Sequence, residues 1–168
     1  MKMQDDLIMR LKQLGIVRHQ PVELSHAGPA QLYFDFKQAY GDAEAFKLLA
    51  KRVGEKIPNR TSCIAGSGYG GIPLATGISL WYGRNLALVR TEPKDHGIIK
   101  LIEGYLPGKD DKVAIVDDVF TTGKSLQKII DIVTPTGAEI VGCYVILKRG
   151  EGQISVQVES LLKVEDLL

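Results

Sequence analysis

What most constrains this chain is an alternation in its middle. Apolar runs TSCIAG (61–66), NLALVR (85–90), KVAIVDD (112–118) and AEIVGCYVILK (138–148) are spaced by helix-like stretches, among them GIPLATGISLWYG and KSLQKIIDIVTPTG. Several of these runs are continuous and lack the two-residue period of a half-buried strand, so both of their faces need cover. Strands that alternate with helices in this way predict an α/β fold, a central, mostly parallel sheet flanked by helices. A length of 168 residues with 45% apolar content suffices for one such core, so a single domain over 1–168 is expected.

The first 40 residues form an N-terminal segment ahead of the core expected over 41–150. Leu7, Ile8, Leu11, Leu14 and Ile16 recur at three- and four-residue spacing, which predicts an amphipathic helix ended by Gly15. VELSHAGPAQLYFDFKQAYGD has a turn-rich centre and then Leu32, Tyr33, Phe34 and Phe36, and it reads as a hairpin or a strand preceded by a loop. Asp42 is placed to cap a helix carrying Ala45, Phe46, Leu48, Leu49 and Val53, which Pro58 stops. A last apolar pattern lies in ISVQVESLLKVEDLL, and the longest turn-like region is 91–111.

Composition closes several routes. Lys plus Arg number 21 against 20 for Asp plus Glu, and a formal charge of +1 gives no nucleic-acid coat, so any anion site must be local. No uncharged apolar run approaches the roughly 18 residues of a membrane span, and a soluble cytoplasmic protein is expected. Cys63 and Cys143 sit inside strand-like runs without a CxxC partner or a histidine at ligand spacing, which predicts buried, reduced thiols.

Ligands of parallel sheets gather at the carboxyl ends of the strands. Three of the runs end in unusual residues. In VAIVDDVFTTGKSL (113–126), Asp117 and Asp118 follow four apolar residues, and the stretch after them enters a helix. Free N–H groups at a helix start favour a phosphate, Thr121, Thr122 and Ser125 add hydroxyls, and Gly123 allows close approach. Carboxylates accept from vicinal hydroxyls, so the two halves together suit one ligand, a sugar phosphate. A Walker A loop does not fit, because the position that needs its first glycine holds Asp118. In AGSGYGGIP, Gly66, Gly68 and Gly71 match GxGxxG, but the acid expected about 20 residues on is absent, since NLALVR ends in Arg90. Such a loop also suits a diphosphate held by backbone N–H groups. VRTEPKDHGIIKLIEGY then places Arg90, Lys94 and His96 on a long loop suited to cover an anionic substrate.

Taken together, these stretches resemble the type I phosphoribosyltransferases. VAIVDDVFTTGKS closely resembles their thirteen-residue signature for phosphoribosyl pyrophosphate (PRPP), EPKDHG is similar to the mobile catalytic loop of the orotate branch, and IAGSGYGGIPLA is similar to that branch's diphosphate loop. The likeness runs from about residue 30 to 155. It implies the type I phosphoribosyltransferase fold, with residues 1–40 as a helix and a small N-terminal hood, and a PRPP-binding core behind them. It further implies transfer of phosphoribose from PRPP to orotate, with Mg²⁺ as cofactor and no metal-ligating residue assigned.

Carried onto this chain, the resemblance gives Asp117 and Asp118 the ribose hydroxyls, and Thr121, Thr122, Gly123, Lys124 and Ser125 the 5-phosphate, with Val119 and Phe120 also in the PRPP-binding stretch. Thr121 would also face orotate, and Arg149 in LKRGEG matches the arginine that pairs with the orotate carboxylate. Tyr69 and Gly70 stand where the diphosphate loop meets PRPP. Arg90, Lys94 and His96 would meet the diphosphate, Lys94 being the main catalytic contributor of a 91–104 loop that closes on the neighbouring subunit of a homodimer. The family usually carries cations where this chain has Thr91, Gly70 and Ser25, and generally an acid where it has Lys148. A phosphoribosyltransferase for a purine or another base, and a PRPP-sensing regulator, stay open at this point.

Overall fold

The computed structural model describes residues 2–18, 22–24, 28–30, 32–91 and 100–168. The periodic N-terminal stretch forms helix α1 (Lys2–Gln13), and Gly15 turns the chain out of it at φ +64°. Leu7 and Leu11 are buried from the helix, and Ile16 from just beyond it. Short strand β1 (Val17–Arg18) pairs antiparallel with β4 (Tyr33–Phe34), and between them β2 (Val22–Leu24) and β3 (Gly28–Ala30) make a separate antiparallel pair. A single-turn helix α2 (Lys37–Tyr40) leads to α3 (Ala43–Lys56). Asp42 does cap α3, accepting from the Ala45 N–H at 2.8 Å, and Arg10 grips the same carboxylate through Nε at 2.7 Å and a second nitrogen at 2.8 Å. The cap thereby also ties α1 to α3, and the Arg10 hydrogen bond, with the cap, holds the Asp42 carboxyl down at about 2.

The predicted alternation builds the sheet. Strand β5 (Cys63–Gly66) is followed by helix α4 (Gly68–Tyr82) and β6 (Asn85–Val89); then come β7 (Ile102–Gly104), β8 (Lys112–Phe120), helix α5 (Lys124–Val133), a 3-10 turn (Thr134–Thr136), β9 (Glu139–Lys148), β10 (Val158–Lys163) and the short α6 (Val164–Leu167). Strand order is β10-β9-β8-β5-β6-β7, parallel throughout except for β7, which runs antiparallel to β6 at the edge. Strand β7 lies inside the region expected to be turns; three residues with a glycine carry no periodic signal.

Both faces of the sheet are covered, as the continuous apolar runs require. Alternate residues of one strand serve opposite cores: Ala114 and Val116 pack with Leu49, Val53, Leu74 and Ile78 from α3 and α4, while Val113 and Ile115 pack with Leu126, Ile129 and Val133 from α5. Each such Val, Leu or Ile side chain contributes roughly 1.5–3 kcal/mol by leaving water. Gly77, an apparent weak point of α4, lies against α3 so closely that a β-carbon there would stand 2.9 Å from that of Ala50. Cys63 and Cys143 are both buried, and burial pushes each thiol up to about 12. Among the described residues, no helix is long and apolar enough to cross a membrane.

Candidate active site

The chain leaves β5 toward β6 on one side, while β8 lies on the other, so strand order reverses between β5 and β8. Crevices at such reversals are where open α/β sheets bind ligands. The two strands end unequally. Their register closes at Gly66 opposite Val116, whereas β8 continues beside β9 alone until Phe120 meets Lys148. Asp117 and Asp118, expected as the last residues of their strand, are followed in β8 by Val119 and Phe120, and they reach the crevice because β5 has stopped.

The two acids differ. Asp117 is nearly buried at 8% exposure; its Oδ1 accepts from the Asp118 N–H at 2.9 Å and its Oδ2 from the Ser125 hydroxyl at 3.2 Å. Burial first, and then the Asp118 charge, holds its carboxyl well above the usual carboxylate range. Asp118 is half-buried, accepts from the Val119 N–H at 2.8 Å, and lines a cavity. On the other wall, AGSGYGGIP is not a free loop: α4 already begins at Gly68, and Gly70 and Gly71 sit in its first turn, against the acids. The Tyr40 hydroxyl, buried beneath that turn, donates to the Gly70 carbonyl at 2.7 Å.

Beyond the acids, Thr121 and Thr122 are half-buried, and Gly123, at φ +81°, starts α5 without a side-chain cap. The first N–H groups of α5 are thus available for an anion, with only the Thr122 hydroxyl 3.5 Å from the Lys124 nitrogen. Phe120 packs in the core, so any ligand contact it makes comes through its backbone. Ser125 already serves Asp117, and Lys124 is exposed. The segment RGEG backs this turn: Arg149 N donates to the Phe120 carbonyl at 2.9 Å and Gly152 N to that of Thr121 at 3.3 Å. A β-carbon at 150 or 152 would stand 3.0 or 2.8 Å from the Thr121 or Thr122 Cα. Only the two glycines of RGEG signalled this close approach.

Beside Asp118 lies a cavity of 140 Å³, walled by Tyr33, Phe34, Lys37, Val119, Thr121 and Arg149. Arg149 donates from one nitrogen to the Leu32 carbonyl at 2.7 Å, with its guanidinium carbon 5.8 Å from the centre of the Phe34 ring. The sequence-predicted Asp118, Thr121 and Arg149 thus meet in one pocket. Tyr33, Phe34, Lys37 and Tyr40 were missed as site residues: in sequence their stretch reads as a hairpin or a strand preceded by a loop. A larger cavity of 720 Å³ between β7 and α5 is walled mainly by Leu101, Ile102, Leu106 and Ile132 and shares no residue with this site.

The remaining expected residues stand further out. Arg90 follows β6, with its Nε 3.8 Å from Glu103, and Tyr69 is 84% exposed. Thr91 lies 3.4 Å from the Ser67 hydroxyl. Lys148 lies 5.8 Å from the Phe120 ring. Lys94 and His96 lie outside the described residues.

Known proteins resemble this chain in sequence and in fold. Residues 42–158 match the phosphoribosyl transferase domain family. The orotate phosphoribosyltransferase of Pyrococcus horikoshii is 36% identical over 90% of this chain and 83% of its own, and that of Methanocaldococcus jannaschii is 35% identical over 87% and 82%. Among solved structures, orotate phosphoribosyltransferase from Aeropyrum pernix superposes with a TM-score of 0.83 at 29% identity, covering 96% of this chain and 95% of that one. The Mycobacterium tuberculosis orotate phosphoribosyltransferase, in complex with PRPP, superposes with a TM-score of 0.76 at 27% identity over 98% of each chain. With a family match over residues 42–158, relatives more than a third identical over most of their length, and a sheet that superposes on theirs, the chain belongs to the orotate phosphoribosyltransferase family and has the type I phosphoribosyltransferase fold.

Proposed function

We propose that this chain transfers the phosphoribosyl group of PRPP to orotate, releasing diphosphate and orotidine 5′-monophosphate, as a cytoplasmic, Mg²⁺-dependent homodimer of pyrimidine biosynthesis. One observation carries the reading: Asp118 is shared by the crevice that ends in the Thr121–Ser125 turn and by the small cavity that contains Arg149. The donor lies in the first with its phosphate on the start of α5, and the acceptor in the second with its carboxylate on Arg149.

Displacement at the anomeric carbon builds positive charge on the ribose, and Asp118, fixed by the Val119 N–H, stabilises it there. Asp117 holds its neighbour's backbone and the Ser125 hydroxyl, and takes a ribose hydroxyl with the oxygen capacity left to it. Arg90 and Tyr69, with Lys94 and His96, meet the diphosphate. Among the described residues, no group of three acids, histidines or cysteines forms a metal cage. Asp118 beside the substrate's own oxygens fits Mg²⁺ all the same, since that ion is usually held through one or two carboxylates and substrate phosphates. When bound, it neutralises charge on the departing diphosphate.

Self-association is supported by exposed apolar residues on α4, Leu80 at 80% and Trp81 at 46%, which wall a groove with Phe46 and Gly77. Of the 91–104 segment, the part ahead of β7 would then close on the neighbouring subunit's site.

The test is spectroscopic. Protein mixed with Mg²⁺, PRPP and orotate should change the orotate absorbance, and Arg149→Ala should lower turnover about 100-fold while PRPP still binds, as expected when one partner of a charged contact is removed. No absorbance change with the unaltered chain, or full activity in Arg149→Ala, would overturn the acceptor assignment.

A further inference from the structure

Nothing in DFKQAYGD marks Lys37 in sequence as more than a solvated charge. In the fold, its half-exposed ammonium borders the acceptor cavity, 3.8 Å from Asp118 Oδ2 and 3.9 Å from Asp35 Oδ1. Both separations are ion pairs and too long for hydrogen bonds, and Asp35 Oδ1 is buried without a hydrogen-bond partner. The two carboxylates hold the ammonium in place without saturating its donors. Burial alone would lower its pKa, but Asp118, Tyr33 and Asp35 together raise it, so it stays protonated. The cavity therefore carries two cations, Lys37 beside the Tyr33 ring at 6.0 Å and Arg149 beside that of Phe34.

The chemistry of the acceptor assigns the two cations different edges. Resting on the reading above, the attacking N1 of orotate faces the anomeric carbon, next to Asp118. One neighbour of N1 bears the carboxylate, which Arg149 takes; the other is the C2 carbonyl, which is left on the Lys37 side. We infer that Lys37 is a second substrate-facing cation of the acceptor pocket, and that it stabilises the negative charge spread over N1 and the C2 carbonyl as N1 loses its proton. The proton passes to water, the N1 electron pair forms the bond to the anomeric carbon, and the broken carbon–oxygen bond leaves its pair on diphosphate. A cation supplied from α2 thus restores part of the charge that Ser25, Gly70 and Thr91 omit.

The experiment compares Lys37→Met and Lys37→Arg in the full chain, with Mg²⁺, PRPP and two acceptors. These are orotate and 5-fluoroorotate, whose ring N–H the fluorine makes more acidic. Lys37→Met should lower kcat on orotate about tenfold, a modest loss for a cation that is half-exposed. The loss should be several-fold smaller on 5-fluoroorotate, Lys37→Arg should recover most of it, and calorimetric PRPP affinity should stay unchanged. Equal losses on both acceptors, or a loss that tracks PRPP affinity, would overturn the inference and leave Lys37 as a prop for Asp118. Unimpaired turnover by Lys37→Met would also overturn it, while the acceptor reading stands. A chain inert toward orotate before any substitution would overturn that reading, and this inference with it.

Discussion

A β-carbon at position 70 would stand 2.6 Å from the Asp118 carboxyl carbon and 2.9 Å from Asp117 Oδ1. The family often carries a lysine at this position, so glycine looks at first like a lost contact to the diphosphate. In this fold the absence of a side chain is what lets the first turn of α4 lie on the acid pair.

Gly70→Ala should therefore weaken PRPP use although it adds only one methyl group. An overpacked contact costs about 1–3 kcal/mol, roughly 5- to 150-fold in kcat/KM for PRPP. Gly70→Lys should be worse, even though it returns a cation. Improved PRPP kinetics in Gly70→Lys would show that the acids move aside at little cost.

Asp117 sets binding against stability. Its folded pKa is raised by burial and by Asp118, so the stability it contributes belongs to the protonated form. That stability is fully present below the unfolded value of about 4 and is lost as pH rises toward the folded one. Asp117→Asn should leave Tm nearly unchanged at the acid end of the range and raise it by a few degrees at pH 8–9, since about 1 kcal/mol moves Tm by ~2–4 °C in a chain of this size. The same variant should lose PRPP binding in calorimetry. A Tm difference that does not grow with pH would refute the assigned shift.

Cys63 and Cys143 should resist chemistry. Burial raises both thiols to about 12, with Asp111 adding to the effect at Cys63 and Asp117 at Cys143. A thiol reagent at pH 8 should label neither in the native protein and both in guanidinium chloride. Rapid native labelling of one would locate a local opening of the β5 or β9 region.

The sheet was legible in sequence because several continuous apolar runs can be covered only from both sides; Asp42 was legible as a helix cap, Asp118 and Thr121 from the strand-to-helix stretch that holds them, and Arg149 only through the resemblance to the phosphoribosyltransferases. What escaped depends on contacts between distant segments. Lys37 and Tyr40 follow a two-residue strand, and their importance comes from Asp118 and Gly70, far along the chain. No local period records such a meeting. The continuation of β8 past Asp118 to Phe120 escaped for a related reason: it is set by pairing with β9, far along the chain.

The unequal ends of β5 and β8 have a consequence for how the protein can be improved. From Asp117 onward, β8 has a strand partner on one side only, and the other side faces the crevice. One more rung between β5 and β8 would add hydrogen bonds and tighten the sheet, but it would occupy the space in which, on the proposed reading, the acids meet the ribose. A campaign that selected this chain for heat resistance alone would be rewarded for completing the ladder, and its most robust winners would be inactive.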